Sequence, residues 1–175
     1  KEHARAQDFL KRLQAAGLAN AYIDTEGNVI ARRPGTGSGP KLVFSAHLDT
    51  VFPAGTDLSI REKDGKLYAP GIGDDTRGLA EILSMVRALN AGQIQTVGDI
   101  LFVGTVGEEG LGDLRGVKAL FRDHKDIDGF VSIDGLRPER ITYIAVGSHR
   151  YRVTFKGPGG HSFSAFGSPS AIHSM

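Results

Sequence analysis

The stretch Asp99-Ile-Leu-Phe-Val-Gly-Thr-Val106-Gly107-Glu108-Glu109-Gly110 runs from a continuous apolar segment straight into two adjacent carboxylates set between glycines. A short apolar run of this kind, rich in β-branched and large residues, reads as a strand buried on both faces. Glu108 and Glu109 repel one another when both are ionised, so either one keeps a proton or a cation sits between them. An isolated Glu-Glu pair reads as a solvated loop. Here other apolar runs end in the same way, and that turns the reading towards a site.

Lys41-Leu-Val-Phe-Ser-Ala46 is a second apolar strand and ends in His47-Leu48-Asp49-Thr50-Val51. Gly129-Phe-Val-Ser-Ile133 is a third and ends in Asp134-Gly135. Between the first two of these strands in chain order, the loop Pro70-Gly-Ile-Gly-Asp74-Asp75-Thr-Arg-Gly78 opens a helix over residues 77–91. Its apolar stripe is Leu79, Ile82, Leu83, Val86 and Leu89, and Asn90 and Gly92 mark its end. Residues 2–16 form another helix, with Phe9, Leu10, Leu13 and Ala16 on one face and Gly17 as the stop. Residues 114–124 form a third, with Val117, Leu120 and Phe121 on one side. Two hairpins are expected, 21–24 with 29–32 and 58–61 with 66–69, the latter across an Asp64-Gly65 turn. Gly35-Thr-Gly-Ser-Gly-Pro-Lys41 lacks the spacing of a phosphate loop and precedes a strand, so it is expected to be a flexible connection.

Strands alternating with helices as far as Asp134 argue for an α/β fold, a three-layer domain around a largely parallel sheet. From Ile141 the character changes: Ile141–Val146 and Tyr151–Lys156 alternate as half-exposed antiparallel strands do. A boundary near residues 147–149 divides the chain into 1–147 and 148–175, and Ser168-Pro169 is expected to begin a helix.

Composition narrows the function classes. With 21 basic and 20 acidic residues the formal charge is +1, which offers no field for nucleic acid. No cysteine is present, so thiolate metal sites and disulfides are excluded. No apolar run approaches the roughly 18 residues of a membrane span. The opening residues show no signal-peptide pattern, and a cytoplasmic location is expected, with further residues upstream of Lys1.

In open α/β sheets the ligand site lies beyond the C-terminal strand ends. There His47 and Asp49, Glu108 and Glu109, and Asp134 would meet Asp74 and Asp75 from the helix-opening loop. So many carboxylates with one imidazole need a partner, and that donor set suits Zn2+, Mn2+ or Co2+. In His47-Leu48-Asp49 the two polar side chains face the same side of an extended chain, so Asp49 is expected to accept the free imidazole N–H.

Four motifs then appear in order: Ser45-Ala-His-Leu-Asp-Thr-Val51, Gly71-Ile-Gly-Asp-Asp-Thr-Arg-Gly78, Thr105-Val-Gly-Glu-Glu-Gly110 and Ser132-Ile-Asp-Gly135. Together they resemble the M20 family of two-metal peptidases and deacylases, over residues 40–175. The resemblance implies a zinc-peptidase-like catalytic domain followed by the start of an α+β lid or dimerisation domain. It implies two divalent metal ions, zinc first and cobalt or manganese as alternatives, held by His47, Asp74, Glu109 and Asp134. Asp74 would bridge the two metals before a cis peptide to Asp75, although Asp75 could replace it. Glu108 resembles the general base, Asp49 the partner that orients His47, and His161 the lid histidine at the substrate. The implied substrate is a small peptide or an N-acyl amino acid, and the lid leaves room for a homodimer. The family's last metal-binding histidine would lie beyond residue 175, so this portion alone is expected to be inactive. A non-catalytic peptide-binding member and a zinc aminopeptidase without a lid remain as alternatives.

Overall fold

The computed structural model describes residues 2–135, 137 and 139–173. Packing divides the chain into two units, Lys1–Pro138 and Glu139–Met175.

The first unit is built on a five-stranded sheet. Its strands are β1 (Tyr22–Ile23), β2 (Val29–Arg33), β3 (Leu42–His47), β6 (Ile100–Thr105) and β7 (Gly129–Ser132), in the spatial order β1-β2-β6-β3-β7. The short hairpin of β4 (Arg61–Lys63) and β5 (Lys66–Tyr68) stands apart as a sheet of its own. β3 pairs in parallel with both β6 and β7, whereas β1–β2 and β2–β6 are antiparallel. The sheet is therefore mixed, with its parallel part where the apolar runs were read.

All six residues of β6 are buried, as a strand covered on both faces requires. One face of the sheet carries Val29, Ala31, Ala46, Ile100 and Phe102 against two helices, α1 (His3–Ala15) and α2 (Arg77–Ala91). Phe44 and Phe102 stand opposite one another across β3 and β6, their ring centroids 6.3 Å apart. The other face carries Ile30, Val43, Leu101 and Val103 against Leu120 of α3 (Arg115–Asp123). Period-two alternation thus feeds two cores from single strands. Each fully buried side chain such as Leu13, Ile82 or Leu120 contributes roughly 1.5–3 kcal/mol.

The helix ends follow capping rules, with one surprise. After α1 the Leu18 N–H reaches the Leu13 carbonyl at 3.0 Å and the Gly17 N–H reaches Gln14 at 3.0 Å, with Gly17 at φ +100°. After α2 the same motif recurs, Ile94 to Leu89 at 3.0 Å and Gln93 to Asn90 at 3.1 Å. The left-handed residue there is Gln93, at φ +51°, and not Gly92.

The segment 35–41 differs from the expected flexible connection. Thr36 and Gly37 donate to the carbonyls of Thr96 and Val97, at 2.9 and 3.0 Å. A Cβ at Gly39 would stand 2.4 Å from the Gly98 nitrogen, so glycine is needed for this close approach. Among the described residues of the second unit there is no helix or strand. The alternating pattern of 141–156 forms no ladder, and Ile141, Tyr143, Val146 and Tyr151 are exposed. Alternation sets which side chains share a face, but a strand also needs a neighbour. Past Ser168-Pro169 the described residues show a turn and not yet a helix, and residues 174 and 175 lie outside the described residues. No helix among the described residues is long and apolar enough to cross a membrane.

Candidate metal centre

Parallel pairing brings three strand ends to one level. His47 on β3 stands opposite Thr105 on β6, and Ser45 opposite Ser132 on β7. The chain therefore leaves the sheet at 47–49, 106–109 and 133–135 side by side, and the loop opening α2 supplies Asp74 and Asp75. The Asp74–Asp75 peptide bond is cis.

His47 sits at the middle and is 3% exposed. Its Nε2 lies 2.7 Å from Asp74 Oδ1 and 3.9 Å from Glu108 Oε2. Its Nδ1 lies 3.0 Å from the backbone carbonyl of Asp49 and 3.7 Å from that residue's carboxylate. The expected imidazole partner at position 49 is thus chiefly the main chain. The Asp49 side chain mostly does something else: it accepts the backbone N–H groups of Glu108 at 3.2 Å and Glu109 at 2.8 Å. Asp49 is a clamp on the glutamate turn. Asp75, 1% exposed, accepts the His47 N–H at 2.8 Å and the Gly78 N–H at 3.1 Å, so it fixes the histidine's main chain from below.

The glutamate turn itself depends on Gly107, which has φ +70° and lies under the Arg115 side chain, where a Cβ would collide. Arg77, in the first turn of α2, donates to the Gly135 carbonyl and ties the Asp134 turn to that helix.

Two groups of side chains could hold a metal ion among the described residues. His47, Asp74 and Glu109 form one, and His47, Asp75 and Asp134 the other, each with its ligand atoms within 4.8 Å of one another. His47 is common to both, and Asp75, not Asp74, stands with Asp134. Charge supports the fit. Burial alone would lower the His47 pKa, but Asp49, Asp75, Asp74 and Glu108 around it push it up to about 10. Burial pushes Asp75 up to about 7, against the pull of His47 and its amide. Glu108 and Glu109 are both raised, first by burial and then by repulsion from the neighbouring carboxylates. Asp49, despite burial, is held well below the usual carboxylate range by His47 and the two amides. Acids raised around a single raised imidazole are short of positive charge, and the oxygen and imidazole donors suit a divalent cation.

The sequence profile of peptidase family M20/M25/M40 matches residues 43–166. The chain belongs to that family. The aminopeptidase PepT of Bacillus cereus has a similar structure, with a TM-score of 0.62 and 30% identity over 74% of this chain and 37% of its own. A Thermococcus kodakarensis protein provisionally named a LysW-lysine/LysW-ornithine hydrolase is 36% identical over 120 residues, 69% of this chain and 30% of its own. Succinyl-diaminopimelate desuccinylase of Dechloromonas aromatica is 32% identical over 118 residues, 62% of this chain and 31% of its own. The chain spans about a third of the length of these curated relatives.

All the expected ligands, together with Glu108 and Asp49, meet in the first unit. His161 belongs to the second, where its Nδ1 accepts the Phe163 N–H at 3.2 Å. Two residues at the site escaped the sequence reading. Arg5 of α1 donates to the Leu48 carbonyl at 3.1 Å and to the Thr76 hydroxyl, joining two of the ligand loops from beneath. Nothing in a helix pattern marks such an arginine. Asn28 reads as an ordinary hairpin turn residue, yet it is fully buried against the start of the glutamate turn.

Proposed function

We propose that the chain carries the metal centre of a two-metal hydrolase that cleaves the amide bonds of small peptides, aminopeptidase substrates being favoured. One observation carries the reading: Glu109 stands in a group able to hold a metal, whereas Glu108 is in neither such group and still lies 3.9 Å from His47 Nε2. Adjacent glutamates thereby have separate tasks, one as ligand and one as base.

In this reading His47, Asp74, Glu109 and Asp134 would hold two divalent cations, zinc or alternatively cobalt or manganese. When bound, the cations supply Lewis acidity towards the scissile carbonyl and acidify the attacking water. Glu108 takes the proton of that water and returns it to the leaving amine nitrogen, so the carboxylate ends the cycle as it began. Asp49 holds the turn on which Glu108 rides. Residues 148–175 are read as part of a lid domain through which a homodimer can form, and His161 as its substrate-binding histidine. The Gly73-Asp74-Asp75 loop and the aminopeptidase likeness favour peptides. The desuccinylase likeness keeps N-acyl amino acids as the second reading.

The test is a panel of tripeptides, dipeptides and N-acyl amino acids offered to the complete gene product with Zn2+, Co2+ or Mn2+. Peptides should turn over, chelation should stop them, and Glu108→Ala should lower kcat by at least about a hundredfold with metal content retained. An unimpaired Glu108→Ala enzyme, or hydrolysis that survives removal of metal, overturns the proposal. Tight peptide binding without turnover of any panel member would make the chain a binding protein instead.

A further inference from the structure

The glutamate turn is held at one end by the Asp49 carboxylate. Its other end is held by a side chain remote in sequence. Asn28 lies between β1 and β2 and is fully buried. Its Oδ1 accepts the Val106 N–H at 3.1 Å, and its Nδ2 donates to the Gly116 carbonyl at 3.0 Å and to Asp24 Oδ2 at 2.7 Å. Both donors and the acceptor of one amide are in use, at contacts 78 and 88 residues away in the chain.

The setting shows what this amide replaces. The β2–β6 ladder ends at the pair Val29↔Gly104, so no β2 main-chain group reaches Val106. Asn28 extends the ladder with its side chain. The Val106 carbonyl in turn accepts the Gly116 N–H at 2.9 Å, so both polar groups of Val106 are fixed before the chain turns at Gly107. A Cβ on Gly116 would stand 2.3 Å from Asn28 Oδ1, which leaves only glycine there. Asp24 completes the anchor. One of its oxygens accepts the N–H groups of Glu26, Gly27 and Asn28 at 2.8–2.9 Å, and the other orients the asparagine amide.

We propose that Asn28 is a positioning residue for Glu108 and Glu109. It sets the exit of β6, as Asp49 sets the far side of the turn, so that base and ligand reach the centre together. The proposal rests on the hydrolase reading for its kinetic consequence, but its structural half stands alone.

The experiment pairs amide hydrogen exchange of the metal-free protein with kinetics of the metal-loaded complete gene product. In the wild type the Val106 amide should exchange as slowly as those of Leu101 and Val103, although no backbone acceptor serves it. Exchange at the rate of an open loop overturns the proposal without any variant. Asn28→Ala should speed exchange at Val106, Glu108 and Glu109 by about tenfold or more and leave Val43 and Phe44 unchanged. It should also lower kcat by about tenfold with KM within about twofold, and weaken zinc binding. Leu13→Ala, a core truncation in α1, serves as the control for lost stability, and kcat compared well below both melting temperatures should be unchanged in it. Equal losses of kcat in the two variants, or faster exchange at the turn with kcat intact, overturn the positioning role. If Glu108→Ala is fully active the hydrolase reading falls by itself, while the exchange pattern still decides whether Asn28 holds the turn.

Discussion

Replacing Asp49 by asparagine isolates the clamp on the glutamate turn. The native carboxylate is 7% exposed and accepts two main-chain N–H groups, at 3.2 and 2.8 Å, through different oxygens. Asparagine has nearly the same shape but only one acceptor oxygen, so one N–H would face an amide donor. A hydrogen bond to a charged acceptor is worth about 1.5–3 kcal/mol, and leaving a buried donor unsatisfied costs about 1–3 kcal/mol. The surviving bond also loses its charge assistance. Relaxation of the turn towards solvent recovers part of this, since Glu108 and Glu109 are only half-buried. We expect Asp49→Asn to destabilise the metal-free protein by about 2–4 kcal/mol, read as a lower urea midpoint at unchanged slope. Asp49→Ala should cost a similar amount, because the carboxylate and not the bulk is what acts. A midpoint within about 0.5 kcal/mol of wild type for Asp49→Asn would refute the clamp.

Glu109→Ala should bind one divalent ion fewer than wild type in a zinc titration of the complete gene product, and two retained tight sites would remove Glu109 from the ligand set. Gln93→Gly should stabilise the protein by roughly 0.5–1 kcal/mol, since a glutamine held at φ +51° gives up the left-handed penalty and regains only part of it as chain entropy. An unchanged or lowered thermal midpoint would show that the Gln93 side chain contributes something its backbone conceals.

The α/β layers were legible because their signals are local. The stripe Leu79–Val86, the continuous run 100–105 and the charges closing each strand need no knowledge of what lies opposite. The candidate ligands were legible for the same reason, as acids and a histidine following apolar runs. What escaped depends on distant partners. Nothing near Asn28 announces Val106 or Gly116, and nothing near Arg5 announces Leu48 and Thr76. His47-Leu48-Asp49 pointed to two neighbouring side chains but to an incomplete geometry. Period two does put both side chains on one side, but the Asp49 carbonyl lies closer to the imidazole and frees the carboxylate for the glutamate amides. The glycines of 35–41 suggested freedom where close approach to the main chain at Gly98 was the reason for them.

The sheet order has a consequence for the newborn chain. β6 lies between β2 and β3 in space, yet it begins at Ile100, long after β3 has ended at His47. At synthesis rates of about 5–20 residues per second, the two earlier strands wait roughly 3–13 s for the strand that joins them. During that interval β2 has only β1 beside it and β3 has no partner, and their free edges are open to pairing with other chains. The arrival of one strand then joins the two earlier strands and delivers Glu108 beside His47 in the same event, while the layer against Leu120 of α3 and the Asp134 turn follow later. Joining of the sheet and the first approach of Glu108 to His47 are a single step in time.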